Sequence, residues 1–183
     1  MGDRVVIKPL RQGSALGTVR LPNGGDVADA LTEALRYGHG ALVEPFVPGR
    51  EITVGVLDLH GEAARATPVI EIRTAAEEWY DYRNRYTPGR SEHVIPAPLA
   101  TPVLEDLQRI AVRAHRVLGL RDLSRADFLV TDTDGIVLLE VNTLPGMTPT
   151  SLFPDGASAD GLPFPALMNA LVRSAAARGV LAD

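Results

Sequence analysis

The stretch IVLLEVNTLPGMTPTSL, residues 136–152, decides how this chain of 183 residues is interpreted. It begins as an apolar strand that is interrupted by Glu140. Burying a carboxylate is costly unless the group is paired or bound to a metal ion, so Glu140 indicates a chemical role. Side chains two positions apart in a strand share a face, and Asn142 therefore points the same way as Glu140. This end of the strand is a candidate site.

A second carboxylate lies on the strand before it. Strands are predicted over 124–132 and 135–142, and the first of them carries Asp127. If Asp127 faces Glu140 and Asn142 across this hairpin, three oxygen ligands converge. Oxygen donors without His or Cys suit Mg²⁺ (or Mn²⁺), which takes its remaining ligands from water and substrate phosphates. The alternative is an exposed sheet face that carries polar residues.

Two cations extend the candidate site. Arg125 shares the face of Asp127, where it either balances charge or stabilises a phosphoryl group in transfer. Lys8 is the only lysine among the 18 Lys and Arg residues, and a compact ammonium suits a tight phosphate site. The glycine-containing turn at 11–17 adds backbone N–H groups, and a cation with such amides is a phosphate-binding arrangement. A plain hairpin turn and a lysine kept by chance are the alternatives.

The rest of the chain alternates short strands with amphipathic helices, which predicts an α+β fold. We place one domain at 1–60 and a second at 61–183. The segment 79–98 is polar and aromatic and shows no helical or strand periodicity, so we predict a long loop there. Long loops of this kind are often functional. Further strands are predicted at 4–8, 18–21, 41–47, 51–58 and 66–74, and helices at 27–37, 102–118 and 165–178.

Composition excludes several classes of protein. Hydrophobic residues make up 45% and charged residues 22%, as in ordinary globular proteins. A net charge of -5 argues against nucleic acid as a partner. The absence of cysteine excludes disulfides and thiol chemistry. No apolar run approaches the roughly 20 residues that span a bilayer, and the N-terminus is unlike a signal peptide, so we expect a cytoplasmic protein with no membrane partner.

Taken together, the segments VVIKPLRQGSALG, ALVEPFVPGREITVGVL, YDYRNRY, LSRADFLV, LLEVNTLPGMTPTSL and GLPFPALMNALV resemble the D-alanine–D-alanine ligases, which are ATP-grasp enzymes. The resemblance implies part of a small ATP-binding domain at 1–60, a catalytic domain at 61–183 and a mobile loop at 75–96. It also implies ATP- and Mg²⁺-dependent ligation of two D-alanines through a D-alanyl phosphate, for peptidoglycan synthesis.

The resemblance further implies roles for single residues. Arg125 would stabilise the acyl phosphate, Gly146 would offer its backbone N–H to an oxyanion, and Tyr86 would favour an amine as acceptor. The residues implied for catalysis are Arg125, Ser14, Tyr86 and Gly146, and those implied for the acceptor are Ser151 and Leu152. The residues implied for ATP are Lys8, Glu44, Phe46, Val47, Glu51, Arg85, Leu129 and Leu139, and those implied for the metal ion are Asp127, Glu140 and Asn142.

Three departures from the family pattern leave alternatives open. Arg85 stands where lysine is usual, and Ala15 stands where a second serine is usual. The chain begins close to Lys8, so we expect the groups that bind the first D-alanine to be missing from it. Another ATP-grasp carboxylate–amine ligase and a nucleotide-binding module without turnover are therefore the alternatives. The resemblance also allows a homodimer of the full-length protein.

Overall fold

The computed structural model describes residues 4–74, 79, 80, 87 and 89–179. The chain divides into two compact units, Met1–Gly49 with Thr74–Glu92 and Arg50–Arg73 with His93–Asp183. This division differs from the expected boundary at residue 60. The reason is that residues 50–58 form a strand that pairs along its whole length with a strand of the second unit.

In its described residues, the first unit contains a three-stranded antiparallel sheet with one helix packed on it. Its elements are β1 (Val5–Pro9), β2 (Val19–Leu21), α1 (Val27–Leu35) and β3 (Ala41–Pro45). Strand β1 is central, in the order β2-β1-β3. Val5 and Ile7 alternate along β1 and are buried against Ala30 and Ala34 of the helix. The carboxylate of Asp26 caps this helix by accepting from two backbone N–H groups of the first turn.

The second unit is built on a six-stranded sheet. Its order is β7-β6-β4-β8-β9, and β5 also pairs with β4. The elements are β4 (Arg50–Asp58), β5 (Arg65–Ala66), β6 (Ile70–Thr74), β7 (Ser91–Val94), α2 (Thr101–Val117), β8 (Asp122–Val130), β9 (Ile136–Asn142), α3 (Leu152–Ala159) and α4 (Phe164–Arg178). In the part of the chain that the structure describes, no helix has both the length and the apolar character that crossing a membrane requires.

The two faces of the central strands β4 and β8 pack against different parts of the second unit. On one face, Ile52 and Val54 of β4 and Phe128 of β8 are buried in a core with Leu107 of α2. Alternation along the strands turns the odd-numbered side chains to the other face. There, Leu57 packs with Phe153 of α3 in a second cluster. The neighbouring positions on this second face carry the polar residues of the candidate site.

The structure differs from the prediction at three elements. Strand β7 lies within the segment 79–98, which was expected to be a loop. The single strand expected at 66–74 is divided into β5 and β6, because Pro68 has no N–H group to donate to the ladder. The hydroxyl of Thr67 instead accepts from the backbone N–H of Gly55 at 3.1 Å. Helix α3 was not predicted from the sequence, since its interior contains Pro154 and Gly156, two residues that disfavour helices.

A buried carboxylate links β6 to β4. Arg50 donates from Nε to Oε1 of Glu71 at 2.6 Å, and Arg73 donates from Nε to Oε2 at 2.9 Å. Glu71 is 5% exposed. The hydrogen bond from Arg50, opposed by burial and helped by Arg73, holds the pKa of the Glu71 carboxyl below its ordinary value.

Candidate functional site

The β8–β9 hairpin brings the predicted metal and phosphoryl residues onto one face. Asp127 lies directly opposite Glu140, and Arg125 lies directly opposite Asn142. Residues opposite one another in an antiparallel pair point to the same side of the sheet. The register between Asp127 and Phe128 shifts by one residue on β9, which is a β-bulge. The facing of Asp127 and Glu140, on which the predicted metal site depends, is therefore observed.

Asp127 is held by two neighbours. Arg125 donates from Nε to Oδ1 at 2.8 Å and from Nη2 to Oδ2 at 2.7 Å. Thr53 lies directly opposite Asp127 on β4 and donates from Oγ1 to Oδ1 at 2.6 Å. Arg125 is 7% exposed and Thr53 is 1% exposed. The carboxylate is thus charge-balanced and fixed in orientation by nearly buried groups.

The other two predicted metal ligands are more open. Glu140 is exposed, and Asn142 is half-buried and accepts from the backbone N–H of Leu144 through Oδ1 at 3.0 Å. Within the described residues, no three His, Cys, Asp or Glu side chains lie close enough to hold a metal ion. The predicted set contains two carboxylates and one amide, so its oxygen donors fit the chemistry of Mg²⁺ without forming such a cluster.

The residues expected to contact the ribose and the base of ATP lie on the same sheet. Glu51 of β4 is directly opposite Leu129 of β8, and both are half-buried. Leu139 is the residue that the bulge leaves without an opposite partner, since Leu138 pairs with Phe128 and Glu140 pairs with Asp127. Its side chain is 40% exposed. An exposed apolar side chain therefore immediately precedes Glu140 in β9.

The turn that follows β9 is organised around Ser151. Its Oγ accepts from the backbone N–H of Thr148 at 3.2 Å, and the two hydroxyls lie 2.8 Å apart. A Cβ atom on Gly146 would lie 3.0 Å from this Oγ, so glycine allows the close approach. Ser151 immediately precedes α3, whose first backbone N–H groups lack helical partners. Leu152, the first residue of α3, is buried.

In the first unit, two residues predicted to bind ATP contact each other. Nζ of Lys8 lies 2.7 Å from Oε2 of Glu44. The side chains are 28% and 34% exposed, respectively. Lys8 alternates with the buried Ile7, so it lies on the face of the sheet opposite α1. A cation and an acid are therefore both accessible on this open face.

The loop after β1 has an unusual backbone. Ser14 and Ala15 both have positive φ, 54° and 58°, and the N–H of Leu16 donates to the carbonyl of Gly13 at 3.1 Å. Two consecutive positive φ values characterise a type I′ turn, a conformation that residues other than glycine rarely adopt. Such backbone strain clusters at ligand-binding sites.

Two guanidinium groups lie near the ring of Phe46. Arg4 is 5.6 Å and Arg20 5.1 Å from the centre of its ring, and Arg20 is also 5.1 Å from the ring of Trp79. The backbone N–H of Phe46 donates to the carbonyl of Arg4 at 2.9 Å. Val47, the next residue, is half-buried. Arg85 and Tyr86, which were predicted to contact the γ-phosphate and the acceptor, lie outside the described residues.

Sequence reasoning missed Thr53. A threonine in the strand EITVGVL is explained by its β-branched shape alone, and nothing local indicates a carboxylate partner 74 residues later. Counting inward along the paired strands from both ends would have placed it opposite Asp127. That signal requires the pairing of β4 with β8, which the sequence pattern does not provide.

Comparison with models of protein families shows to which family this chain belongs. A family model described as D-ala D-ala ligase C-terminus matches residues 2–173. This chain belongs to the D-alanine–D-alanine ligase family. The D-alanine–D-alanine ligase of Nitratidesulfovibrio vulgaris is 45% identical over 172 residues, which cover 94% of the chain and 55% of that ligase. The chain thus spans about half the length of the curated ligases it matches.

Solved structures of ligases have the same fold. The crystal structure of the D-alanine–D-alanine ligase of Bacillus anthracis complexed with ATP has a TM-score of 0.75 and 26% identity, and covers 97% of this chain and 55% of that one. The VanG D-Ala:D-Ser ligase of Enterococcus faecalis has a TM-score of 0.77 and 28% identity. The match covers 93% of this chain and 49% of that one. The predicted α+β, ATP-grasp fold is confirmed.

Proposed function

We propose that this chain is the ATP-binding and catalytic portion of a D-alanine–D-alanine ligase. The reaction forms a D-alanyl phosphate from ATP and one D-alanine, and the amine of a second D-alanine then displaces phosphate. The observation that carries the proposal is the single sheet face on which Arg125 and Asp127 lie opposite Asn142 and Glu140. Family membership and the polar face support the same conclusion independently.

We place the metal ion at Asp127, Glu140 and Asn142. When bound there, Mg²⁺ (or Mn²⁺) would neutralise negative charge on the phosphate oxygens of ATP. Glu140 is exposed, and its carboxylate carries the charge that such an ion requires. Asn142 keeps acceptor capacity on Oδ1 beyond the hydrogen bond that it accepts from Leu144.

The phosphoryl and acyl groups would be stabilised by fixed donors. Arg125 is nearly buried and presents a guanidinium beside the carboxylate site, where it would stabilise charge on the acyl phosphate. The backbone N–H of Gly146 would donate to the oxyanion that forms when the amine attacks. Ser151 and the backbone N–H of Leu152, at the start of α3, would bind the acceptor carboxylate, because a helix N-terminus favours anions.

The roles in nucleotide binding are proposed residue by residue. Lys8 would contact the α- and β-phosphates, and the strained loop that contains Ser14 would cover them. Glu44, Phe46 and Val47 would contact the adenine edge, and Glu51 would bind the ribose hydroxyls. The further residues proposed for the nucleotide are Leu129 and Leu139 beside the base and Arg85 at the γ-phosphate.

The acceptor and the cellular setting are also part of the proposal. Tyr86, in the loop proposed at 75–96, would favour an amine acceptor, and D-alanine is the amine we propose. A D-serine acceptor is the second candidate, because the VanG D-Ala:D-Ser ligase shares this fold at 28% identity. We propose a cytoplasmic enzyme that is homodimeric at full length, with 1–60 and 61–183 as its small and catalytic ATP-grasp portions.

A calorimetric titration tests the nucleotide and metal parts together. Wild-type protein should bind ATP more tightly with Mg²⁺ than with EDTA. In Glu140→Gln this difference should shrink strongly, since one anionic ligand is removed, while binding in EDTA should change little. Asp134→Asn, an exposed acid in the same hairpin, is the matched control. Equal affinity with and without Mg²⁺ in wild type and variant alike would rule the site out.

A further inference from the structure

The hydroxyl of Thr53 has one clear hydrogen-bond acceptor. Thr53 Oγ1 lies 2.6 Å from Oδ1 of Asp127 and 3.2 Å from the carbonyl oxygen of Ala126. A hydroxyl has one proton to donate, and the shorter distance to a charged acceptor assigns that proton to the carboxylate. The side chain is 1% exposed, so water does not compete for it.

The two carboxylate oxygens of Asp127 accept different numbers of hydrogen bonds. Oδ1 accepts from Thr53 and from Nε of Arg125, which fills both of its lone-pair positions. Among the described residues, Oδ2 accepts a hydrogen bond only from Nη2 of Arg125, which leaves one of its lone-pair positions open. Without the threonine hydroxyl, the two oxygens would be equivalent in this respect, and the carboxylate would be held by Arg125 only.

We propose that Thr53 is a positioning residue for Asp127, one that fixes the carboxylate so that Oδ2 is the oxygen presented to a divalent cation. This inference rests on the proposed function and adds a residue to it. Groups that hydrogen-bond a ligating carboxylate set its orientation and basicity, and losing them typically weakens metal binding by about 10–100-fold. Thr53 is suited to this role because the strand register places it directly across from Asp127.

A pair of substitutions separates the hydroxyl from the shape of the side chain. Thr53→Val keeps the β-branched volume and removes the donor, whereas Thr53→Ser keeps the donor and removes a methyl group. The probe is Mn²⁺, titrated into the full chain in the presence of a non-hydrolysable ATP analogue, with free Mn²⁺ measured by electron paramagnetic resonance. Nucleotide binding in EDTA and thermal unfolding of each variant are followed in parallel.

The expected result is Mn²⁺ affinity reduced by about 10–100-fold in Thr53→Val and kept within about threefold in Thr53→Ser, with nucleotide binding in EDTA unchanged. Wild-type affinity in Thr53→Val would overturn the role of Thr53 and leave the proposed function standing. Equal loss in both variants would also overturn it, because keeping the hydroxyl in Thr53→Ser would then fail to preserve metal binding, as expected if the loss came from altered packing. Wild-type protein whose Mn²⁺ binding is absent, or is unaffected by Glu140→Gln, would overturn the metal site itself.

Discussion

Replacing Lys8 with Met should weaken ATP binding and leave the first unit almost as stable as before. Lys8 is paired with Glu44 at 2.7 Å on the open face of the sheet, and both side chains are about one-third exposed. Ion pairs with such exposure contribute roughly 0.2–1 kcal/mol, because solvent screens them and their ordering costs entropy. Met keeps most of the apolar stem, so the loss of unfolding free energy should stay at or below about 1 kcal/mol.

The effect on ATP binding should be larger. A hydrogen bond from an ammonium to a phosphate oxygen is charge-assisted and contributes about 1.5–3 kcal/mol. Its removal corresponds to a loss of about 10–150-fold in affinity. Lys8→Arg should fall between wild type and Lys8→Met, because the charge remains but the planar guanidinium is larger than the site of a compact ammonium.

Isothermal titration with Mg-ATP and urea unfolding followed by circular dichroism measure the two quantities separately. Arg36→Met is the control, since Arg36 forms an ion pair with Glu33 on α1 in the same unit and has no proposed role in nucleotide binding. Its ATP affinity should equal that of wild type. The reasoning is refuted if Lys8→Met binds ATP as tightly as Arg36→Met does, or if its stability falls by several kcal/mol.

Two further predictions concern the second unit. The pKa of Glu71 is lowered in the folded state, chiefly by Arg50, so its stabilising effect is complete above the ordinary glutamate pKa and is lost as the pH falls through the folded value. Urea midpoints should thus fall less between pH 7 and pH 3 in Glu71→Gln than in wild type. Gly55→Ala should cost about 1–3 kcal/mol in urea unfolding, since its Cβ would lie 3.0 Å from the Phe153 ring; an unchanged midpoint would contradict this packing.

The sequence predicted the hairpin at the centre of the site because its signals are local. Alternation along β8 and β9 and the short connection between them determine which side chains share a face. The facing of Asp127 and Glu140 does not follow from that pattern alone, because the pairs Val130–Ile136 and Phe128–Leu138 would continue to Asp127–Leu139 without the bulge. The bulge brings Glu140 opposite Asp127, and an extra residue in one strand has no strong local signature.

Contacts between segments that are distant in the chain could not be predicted from the sequence pattern. The Lys8–Glu44 ion pair and the Thr53–Asp127 hydrogen bond join residues 36 and 74 positions apart, and each requires a strand pairing that periodicity does not specify. The division of the compact units at residue 50 could not be predicted for the same reason, because the pairing of β4 with β8 joins segments that are far apart in the chain. The strained backbone at Ser14 was also unpredictable, since serine does not favour positive φ.

Dipeptide synthesis tests the central claim most directly. In a chimera, this chain would replace the aligned 172-residue region of the Nitratidesulfovibrio vulgaris ligase, which is 45% identical to it. Incubation with ATP, Mg²⁺ and D-alanine should yield D-alanyl-D-alanine and phosphate in equal amounts, and Glu140→Gln in the same chimera should remove most of both. A folded chimera that binds Mg-ATP but releases phosphate without dipeptide, or forms neither product, would contradict the assignment of this chain as the catalytic portion of a D-alanine–D-alanine ligase.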